Sequence, residues 1–166
     1  MNNAVSLNDI TITNELGAGD LGYIIHMHGR LYKKECDYGP LFEAYVASGL
    51  LEFHGKYDPK TNRIWICKRG GKMIGCLVLM NRGESAQLRY FIIEPEYRSI
   101  GLGRKLMDLY MESLKEFGYR SVYLLTTDGL PASAHLYKSY GFVLTSETKS
   151  DAFGKIVMEQ RYDLKF

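Results

Sequence analysis

The stretch Ile92-Ile93-Glu94-Pro95-Glu96-Tyr97-Arg98-Ser99-Ile100-Gly101-Leu102-Gly103-Arg104-Lys105-Leu106 has the composition of an anion-binding turn. An apolar strand is halted by Pro95, passes through a loop with two glycines, and runs straight into a helical pattern beginning at Leu102. Such a loop presents unpaired backbone N–H groups at the positive end of a helix, which is how proteins hold a pyrophosphate. The glycines let the backbone approach the anion, and Arg98, Arg104 and Lys105 add positive charge. Spacing excludes two other phosphate loops. A dinucleotide fingerprint would need glycine where Leu106 stands and an acidic residue about 20 positions on. A Walker loop would need Gly-Lys-Ser/Thr after four spacers. On spacing alone, a loop whose glycines merely turn the chain stays open.

The remainder of the 166 residues must position this loop. A chain of that length buries about two thirds of the surface it exposes when unfolded, enough for one unstapled domain. Hydrophobic residues make up 46% and charged residues 24%, ordinary globular values. No repeat, low-complexity tract or Pro/Ser-rich linker marks a boundary, so residues 1–9 are expected to be a flexible polar leader and residues 10–166 a single domain. Twenty-one Lys and Arg against nineteen Asp and Glu leave a net charge of +2, too little to argue for nucleic acid as partner. Three cysteines without a C-x-x-C pair make neither a disulfide framework nor a zinc site, and no metal is expected. The N-terminus lacks a signal sequence, and no apolar run approaches the ~20 residues of a membrane span, so the cytoplasm is the expected compartment.

Periodicity supplies the elements. Residues 10–14 alternate as a strand, and Asp20 caps a helix whose apolar stripe is Leu21, Ile24, Ile25, His28, Leu31 and Tyr32. After Gly39-Pro40, the stripe Leu41, Phe42, Tyr45, Val46, Gly49, Leu50 and Phe53 marks a second helix. Strands over 63–69 and 72–80 flank the hairpin turn Gly70-Gly71, which would set Cys76 opposite Trp65. A strand over 87–94 follows, then a helix from Leu102 ended by Gly118, a buried strand over 121–126, and a short helix from Pro131 to about Tyr140. Residues 142–148 and 155–162 close the chain as an antiparallel hairpin. The order β-α-α-β-β-β-α-β-α-β-β implies an α/β (α+β) fold, a mixed sheet with helices on both faces.

With these elements in place, the loop resembles the hallmark of the GNAT superfamily of N-acetyltransferases, Q/R-x-x-G-x-G/A, matched here by Arg98, Gly101 and Gly103. Ile93-Glu94-Pro95 resembles the family's V-x-P, and Leu136-Tyr137-Lys138-Ser139-Tyr140-Gly141-Phe142 resembles its L-Y-x-x-x-G-F. Gly118-Tyr119-Arg120, with Leu125-Thr126, resembles the strand between them. The likeness spans residues 10–162. His26-Met27-His28-Gly29-Arg30-Leu31-Tyr32 and Tyr38-Gly39 are most similar to the acetyltransferase half of MarR/GNAT fusion proteins. No regulator segment accompanies them here, so no DNA-binding role is carried over.

The resemblance implies a seven-stranded mixed sheet with splayed central strands and about four helices on both faces, and acetyl-CoA or coenzyme A as cofactor. Its pantetheine arm would pair with Phe91, Ile92 and Ile93, and its pyrophosphate would sit on Arg98, Ser99, Ile100, Gly101, Leu102, Gly103 and Arg104. Lys138 would meet a cofactor phosphate. The Ile93 N–H would be the oxyanion donor. Tyr137 would protonate the departing thiolate, a reasonable task for a phenol of pKa ~10; core packing beside Ala134 and Tyr140 is the weaker alternative. Two positions depart from the pattern. Gln87 stands where many relatives carry a glutamate base, and an amide cannot accept the ammonium proton. Leu130 replaces a frequent asparagine. A water chain, His28 or Glu43 is left to take the proton. His28, Tyr32 and Gln87, with Tyr38 and Tyr45 nearby, are the expected acceptor contacts. The expected partner is a small primary amine attacked directly in a ternary complex, with neither nucleic acid nor membrane, and a homodimer left open. Acetylation of a protein or peptide, or acyl-CoA sensing without catalysis, are the alternatives.

Overall fold

The hydrophobic run from Met73 to Met80 is buried at every position, so the strand that carries it must be covered on both faces. A computed structural model, which describes residues 4–166, provides that cover. Its strands are β1 (Thr11–Thr13), β2 (Arg63–Arg69), β3 (Lys72–Arg82), β4 (Ser85–Ile93), β5 (Ser121–Thr127), β6 (Val143–Ser150) and β7 (Val157–Lys165). Its helices are α1 (Asp20–Cys36), α2 (Pro40–Gly55), α3 (Leu102–Phe117) and α4 (Pro131–Ser139), and short 3-10 turns occupy Leu7–Asp9 and Pro95–Tyr97. Of the leader expected over residues 1–9, Met1 to Asn3 lie outside the described residues, whereas the Ser6 N–H donates to Asp9 Oδ2 at 2.9 Å to close the first 3-10 turn.

The sheet has seven strands in the order β1-β2-β3-β4-β5-β7-β6, and β4–β5 is its parallel pair. Alternation along the strands divides the core in two. Ile64, Ile66, Val78 and Met80 face α1 and α2, meeting Ile24, Met27, Leu31, Val46, Leu50 and Phe53. Trp65, Leu77, Leu79, Val122 and Leu124 face α3 and α4, meeting Leu106, Met107, Tyr110, Leu114 and Tyr137. The fold is thus the expected mixed seven-stranded sheet with four helices on two faces.

Three local expectations are corrected. The β2–β3 hairpin turns at Gly70-Gly71, both at positive φ (56° and 79°), but a bulge between Cys67 and Lys68 shifts the ladder, so that Cys76 lies opposite Ile66 rather than Trp65. Asp20 is the first helical residue of α1 and Gly19 occupies the cap; the Asp20 carboxylate instead accepts the Gly17 N–H at 2.7 Å. On α2, Leu41 and Tyr45 are exposed, and the buried stripe narrows to Phe42, Val46, Gly49, Leu50 and Phe53. The cysteines are free thiols, Cys67 and Cys76 buried and Cys36 partly so. Among the described residues no helix is long and apolar enough to cross a membrane, and no group of three His, Cys, Asp or Glu could hold a metal ion.

Candidate active site

The site begins where the sheet comes apart. β4 and β5 pair only from Ala86↔Val122 to Leu88↔Leu124. Beyond that, β4 stays with β3 as far as Gly75↔Ile93, and β5 stays with β7 as far as Thr127↔Glu159, so the two strands diverge. A bulge turns β4 away: Val78 pairs with Arg89 but Cys76 with Ile92, which inserts one extra residue on β4. Tyr90 sits there at φ 53°, a left-handed conformation uncommon for a bulky residue, and its carbonyl accepts a hydrogen bond from Cys76 Sγ at 3.1 Å. At the end of the strand, the Glu94 N–H donates to Ile74 O at 2.8 Å. By strand alternation the N–H and C=O of Ile93 therefore face the edge that β5 has left. Arg98 Nε donates to that Ile93 carbonyl at 2.9 Å, leaving the Ile93 N–H open.

The glycine loop then delivers α3. Gly101, at φ 87°, occupies the cap, and the first helical bond runs from Lys105 N–H to Gly101 O. No side chain caps the helix and no acidic residue lies in its first turn, so the N–H groups of Leu102, Gly103 and Arg104 keep their donors free. α4 opens the same way: Pro131 starts it, Ala134 N–H bonds Leu130 O, and no side chain caps it. Between the two helix starts and β4 lies a cavity of about 420 Å³, lined by Phe91, Ile92, Ile93, Arg98 and Gly103 on one side and by Leu130 to Ser133 on the other. A Cβ at Gly103 would meet Phe91, Ile93 and Leu136 at 3.6 to 3.7 Å, so the glycine marks a place where the helix packs closely on β4. Two positive helix ends directed at one cavity suit a polyanion, and the unpaired β4 edge suits an extended amide-bearing arm. The chain therefore fits coenzyme A on its own geometry.

The expected cofactor residues are placed unequally. Phe91, Ile92, Ile93, Arg98 and Gly103 line the cavity. Arg98, expected simply to add charge for the phosphates, also pairs with Glu35 of α1 at 2.6 Å and so ties helix to loop. Ser99, Ile100, Gly101 and Leu102 build the turn without lining the cavity. Arg104 is exposed in the first turn of α3, its guanidinium 5.8 Å from the Tyr140 ring centre, and Lys138 is exposed in the last turn of α4, away from the lining.

Tyr32 and Phe91 also line a second, smaller cavity of about 100 Å³, so they form a shared wall between it and the first. Ion pairs from Arg30 to Glu94 and from Glu35 to Arg98 hold α1 against the end of β4 and so carry Tyr32 there. Tyr137, His28, Gln87 and Tyr90 also line this cavity. Burial raises the Tyr137 phenol well above its ordinary value, with the nearby Tyr32 adding to the effect, so it stays protonated at every physiological pH. His28 stacks on Tyr32, ring centres 6.0 Å apart, and lies 2.8 Å through Nδ1 from Ile24 O. A carbonyl can only accept, so Nδ1 carries the proton and Nε2 keeps its lone pair. Burial pulls the His28 pKa down to about 4 despite that backbone bond, so the ring is neutral at pH 7. Gln87 is buried, and its Oε1 accepts from Arg82 Nε at 2.9 Å and Tyr123 Oη at 3.3 Å.

A third cavity, about 280 Å³, continues from the second past Tyr45, Gln87, Arg89 and Leu125 and ends at Glu52 and Arg82. Tyr38, expected beside the acceptor, is instead buried in the core with its hydroxyl on Thr127 Oγ1 at 2.8 Å. Glu43 is exposed on α2 beside Gly29 and lines none of the cavities, which removes it as a base. Sequence reasoning missed Arg89, Tyr90 and Tyr123. Arg89 had a signal, a charge inside an apolar strand; the backbone reversal at Tyr90 had none.

Comparison with known proteins agrees with this geometry. Residues 30–142, which include β4, the glycine loop, α3 and α4, match the acetyltransferase (GNAT) family. An uncharacterised N-acetyltransferase of Schizosaccharomyces pombe is 29% identical over 93 residues, 54% of this chain and 57% of that protein, so the chain spans little more than half of this relative. Among solved structures, an acetyltransferase from Streptococcus agalactiae superposes with a TM-score of 0.75 at 17% identity, over 96% of this chain and 100% of the other. The spermidine N-acetyltransferase of Vibrio cholerae, solved with CoA and spermine, gives 0.70 at 21% identity over 95% and 96% of the two chains. These two likenesses are likenesses of fold. The family match covers well over half of the sequence, and the chain belongs to the acetyltransferase (GNAT) family.

Proposed function

We propose that the protein is an acetyl-CoA-dependent N-acetyltransferase that acts on the primary amine of a small molecule in a ternary complex, with residues 10–166 working as one domain. The observation that carries this reading is the junction of two spaces at Tyr32 and Phe91. On one side lies the cavity with two uncapped helix starts, and on the other the cavity lined by Tyr137. When bound, acetyl-CoA supplies an acetyl thioester. The N–H groups of α3 and α4, with Arg104, bind its phosphates, and the unpaired β4 edge at Phe91 and Ile93 orients its arm. The Ile93 N–H donates to the carbonyl oxygen where negative charge grows during attack, a fixed dipole that needs no rearrangement.

Tyr137 holds a proton at Oη for the departing sulfur. Gln87 cannot act as base, and neutral His28 has too low a pKa to hold an ammonium proton. Its free Nε2 lone pair instead accepts a hydrogen bond, from the amine or from a water that carries the proton outward. A small acceptor is supported by the size of the two cavities under α1 and α2, about 100 and 280 Å³. The spermidine N-acetyltransferase of Vibrio cholerae shows that this fold serves a small amine elsewhere. The test is release of free thiol from acetyl-CoA across a panel of amines, amino acids, polyamines and peptides. Transfer to at least one small amine is expected. Transfer to peptides alone would refute the acceptor class, and cofactor binding without any transfer would point to a sensor.

A further inference from the structure

The acceptor cavities contain a cation without an ion-pair partner among the described residues, Glu52 acting on it only at longer range. Arg89, on the diverging stretch of β4, is half-buried and lines both of them. Among the described residues no carboxylate lies within ion-pair distance of it. Among the described residues its side chain makes one hydrogen bond, a long contact from Nη1 to Met80 Sδ at 3.9 Å, and the rings of Tyr45 and Tyr90 lie 5.6 and 4.7 Å away. The guanidinium also packs closely under α2. A Cβ on Gly49 of α2 would lie 2.7 and 2.9 Å from its two terminal nitrogens, so the helix can close on Arg89 only because residue 49 has no side chain.

The surrounding groups sharpen the asymmetry. Glu52 is the acidic residue in the lining, and it is already shared by Arg82 at 2.6 Å and Lys56 at 3.7 Å. The hydrogen bond from Arg82 holds its carboxyl below the usual range, so it stays ionised and engaged. Arg82 and Arg89 against Glu52 leave the lining with a net positive charge. Gln87 adds a donor: its Oε1 is taken by Arg82 and Tyr123, which fixes the amide and leaves Nε2 to donate. A half-buried cation with no ion-pair partner and an idle amide N–H in the same lining suit an oxyanion.

We propose that the acceptor is an amine that also carries a carboxylate, bound through the planar fork of Arg89 and the Nε2 of Gln87, with its amino group directed toward Tyr137. A guanidinium matches a carboxylate with two parallel hydrogen bonds. A polyamine would instead bring further positive charge against Arg89. This proposal rests on the reading above that these cavities receive the acceptor.

The test pairs chemistry with substitution. The common α-amino acids, β-alanine and γ-aminobutyrate are each set beside the corresponding amide, with spermidine alongside. Binding to the CoA-loaded protein and thiol release from acetyl-CoA are both measured. At least one amino acid should exceed its amide in kcat/KM on the order of 10- to 100-fold, the range for hydrogen bonds to charged groups. Arg89→Gln should collapse that ratio toward one, chiefly through KM, while CoA still raises the Tm of the variant. Arg89→Lys should keep part of it. The inference is overturned if amides or spermidine do as well as the carboxylates, if the preference survives Arg89→Gln, or if no amino acid binds. Arg89-dependent binding of an amino acid without thiol release would leave this inference standing and remove acetyl transfer. Transfer confined to spermidine or to amides would do the reverse.

Discussion

Replacing Gly49 with alanine adds one methyl group at the tightest contact in the acceptor region. That methyl would overlap Tyr90 Oη outright and lie 2.7 and 2.9 Å from the Arg89 terminal nitrogens, whereas ordinary contact begins near 3.4 Å. Arg89 can swing aside, since no ion pair among the described residues holds it. Tyr90 cannot: its backbone is fixed at φ 53° within the β4 bulge, and its ring packs edge-on against His28 at 5.8 Å. The strain thus falls on the α2–β4 contact, and overpacking of this kind costs about 1–3 kcal/mol. The Tyr90 hydroxyl is buried without a hydrogen-bond partner among the described residues, so Tyr90→Phe should be neutral or mildly stabilising. In the double variant the phenyl ring leaves room for the methyl, so Gly49→Ala should cost at least 1 kcal/mol less there than alone, by order of magnitude. Urea denaturation of the four proteins completes the cycle. Additive effects, or a Gly49→Ala variant as stable as the parent, would refute the view that residue 49 is glycine because Tyr90 and Arg89 occupy its side-chain space.

Tyr137→Phe should lower turnover about 10²-fold or more with little change in CoA affinity, because it removes a proton and keeps the ring; equal turnover would take Tyr137 out of the mechanism. Since burial holds that phenol well above its ordinary pKa, the native rate should not decline on the alkaline side up to about pH 10, where an unshifted tyrosine would lose its proton. Gly103→Glu should abolish the thermal shift given by CoA, worth about 2.7 kcal/mol at a hundred times Kd in the parent. The Cβ itself fits against Phe91, Ile93 and Leu136, so the loss would come from the carboxylate at the helix start, and Gly103→Ala should retain most of the shift. His28 is held neutral with a pKa of about 4, below the ~6.5 of the unfolded chain, so protonation favours unfolding. Its contribution should be intact above pH 6.5 and fall away between about pH 6.5 and 4, a slope that His28→Gln should flatten in pH-dependent melts.

Much of the fold was legible because its elements announce themselves by period. The eight buried residues of β3, the stripe of α3 and the Gly70-Gly71 turn needed no tertiary knowledge. Register was another matter. The bulge at Cys67/Lys68 moved Cys76 from Trp65 to Ile66, and the one at Tyr90 gave β4 its divergence; Gly75 stands opposite Cys67 at the first, but a lone glycine inside a strand does not fix a register, and the second has neither glycine nor proline to mark it. The glycine loop and Tyr137 were found from motif likeness. The engagement of Arg98 with Glu35 and Ile93 O was not, because it depends on where α1 crosses the end of β4. Glu43 could have been set aside earlier: it follows Phe42, a core residue, by one position, and one step turns about 100° around a helix.

The seam between β4 and β5 has a further consequence for how the molecule holds together. Three residue pairs join an antiparallel half, β1 to β4, to another, β5 to β7. Each half has continuous ladders of its own, and the coupling between them rests on this short join, on the core beneath α3, and on the core beneath α1 and α2, where Phe153 and Val157 pack and the Tyr38 hydroxyl meets Thr127 Oγ1. The amides of Phe91 and Ile93 lie beyond the last rung, so in the free protein their hydrogens exchange with solvent more readily than those of Leu79 or Cys76 within the ladders. A ligand that bonds to that edge and to the starts of α3 and α4 supplies rungs the polypeptide lacks. It lengthens the join between the two halves of one sheet, so occupancy and unfolding free energy rise together.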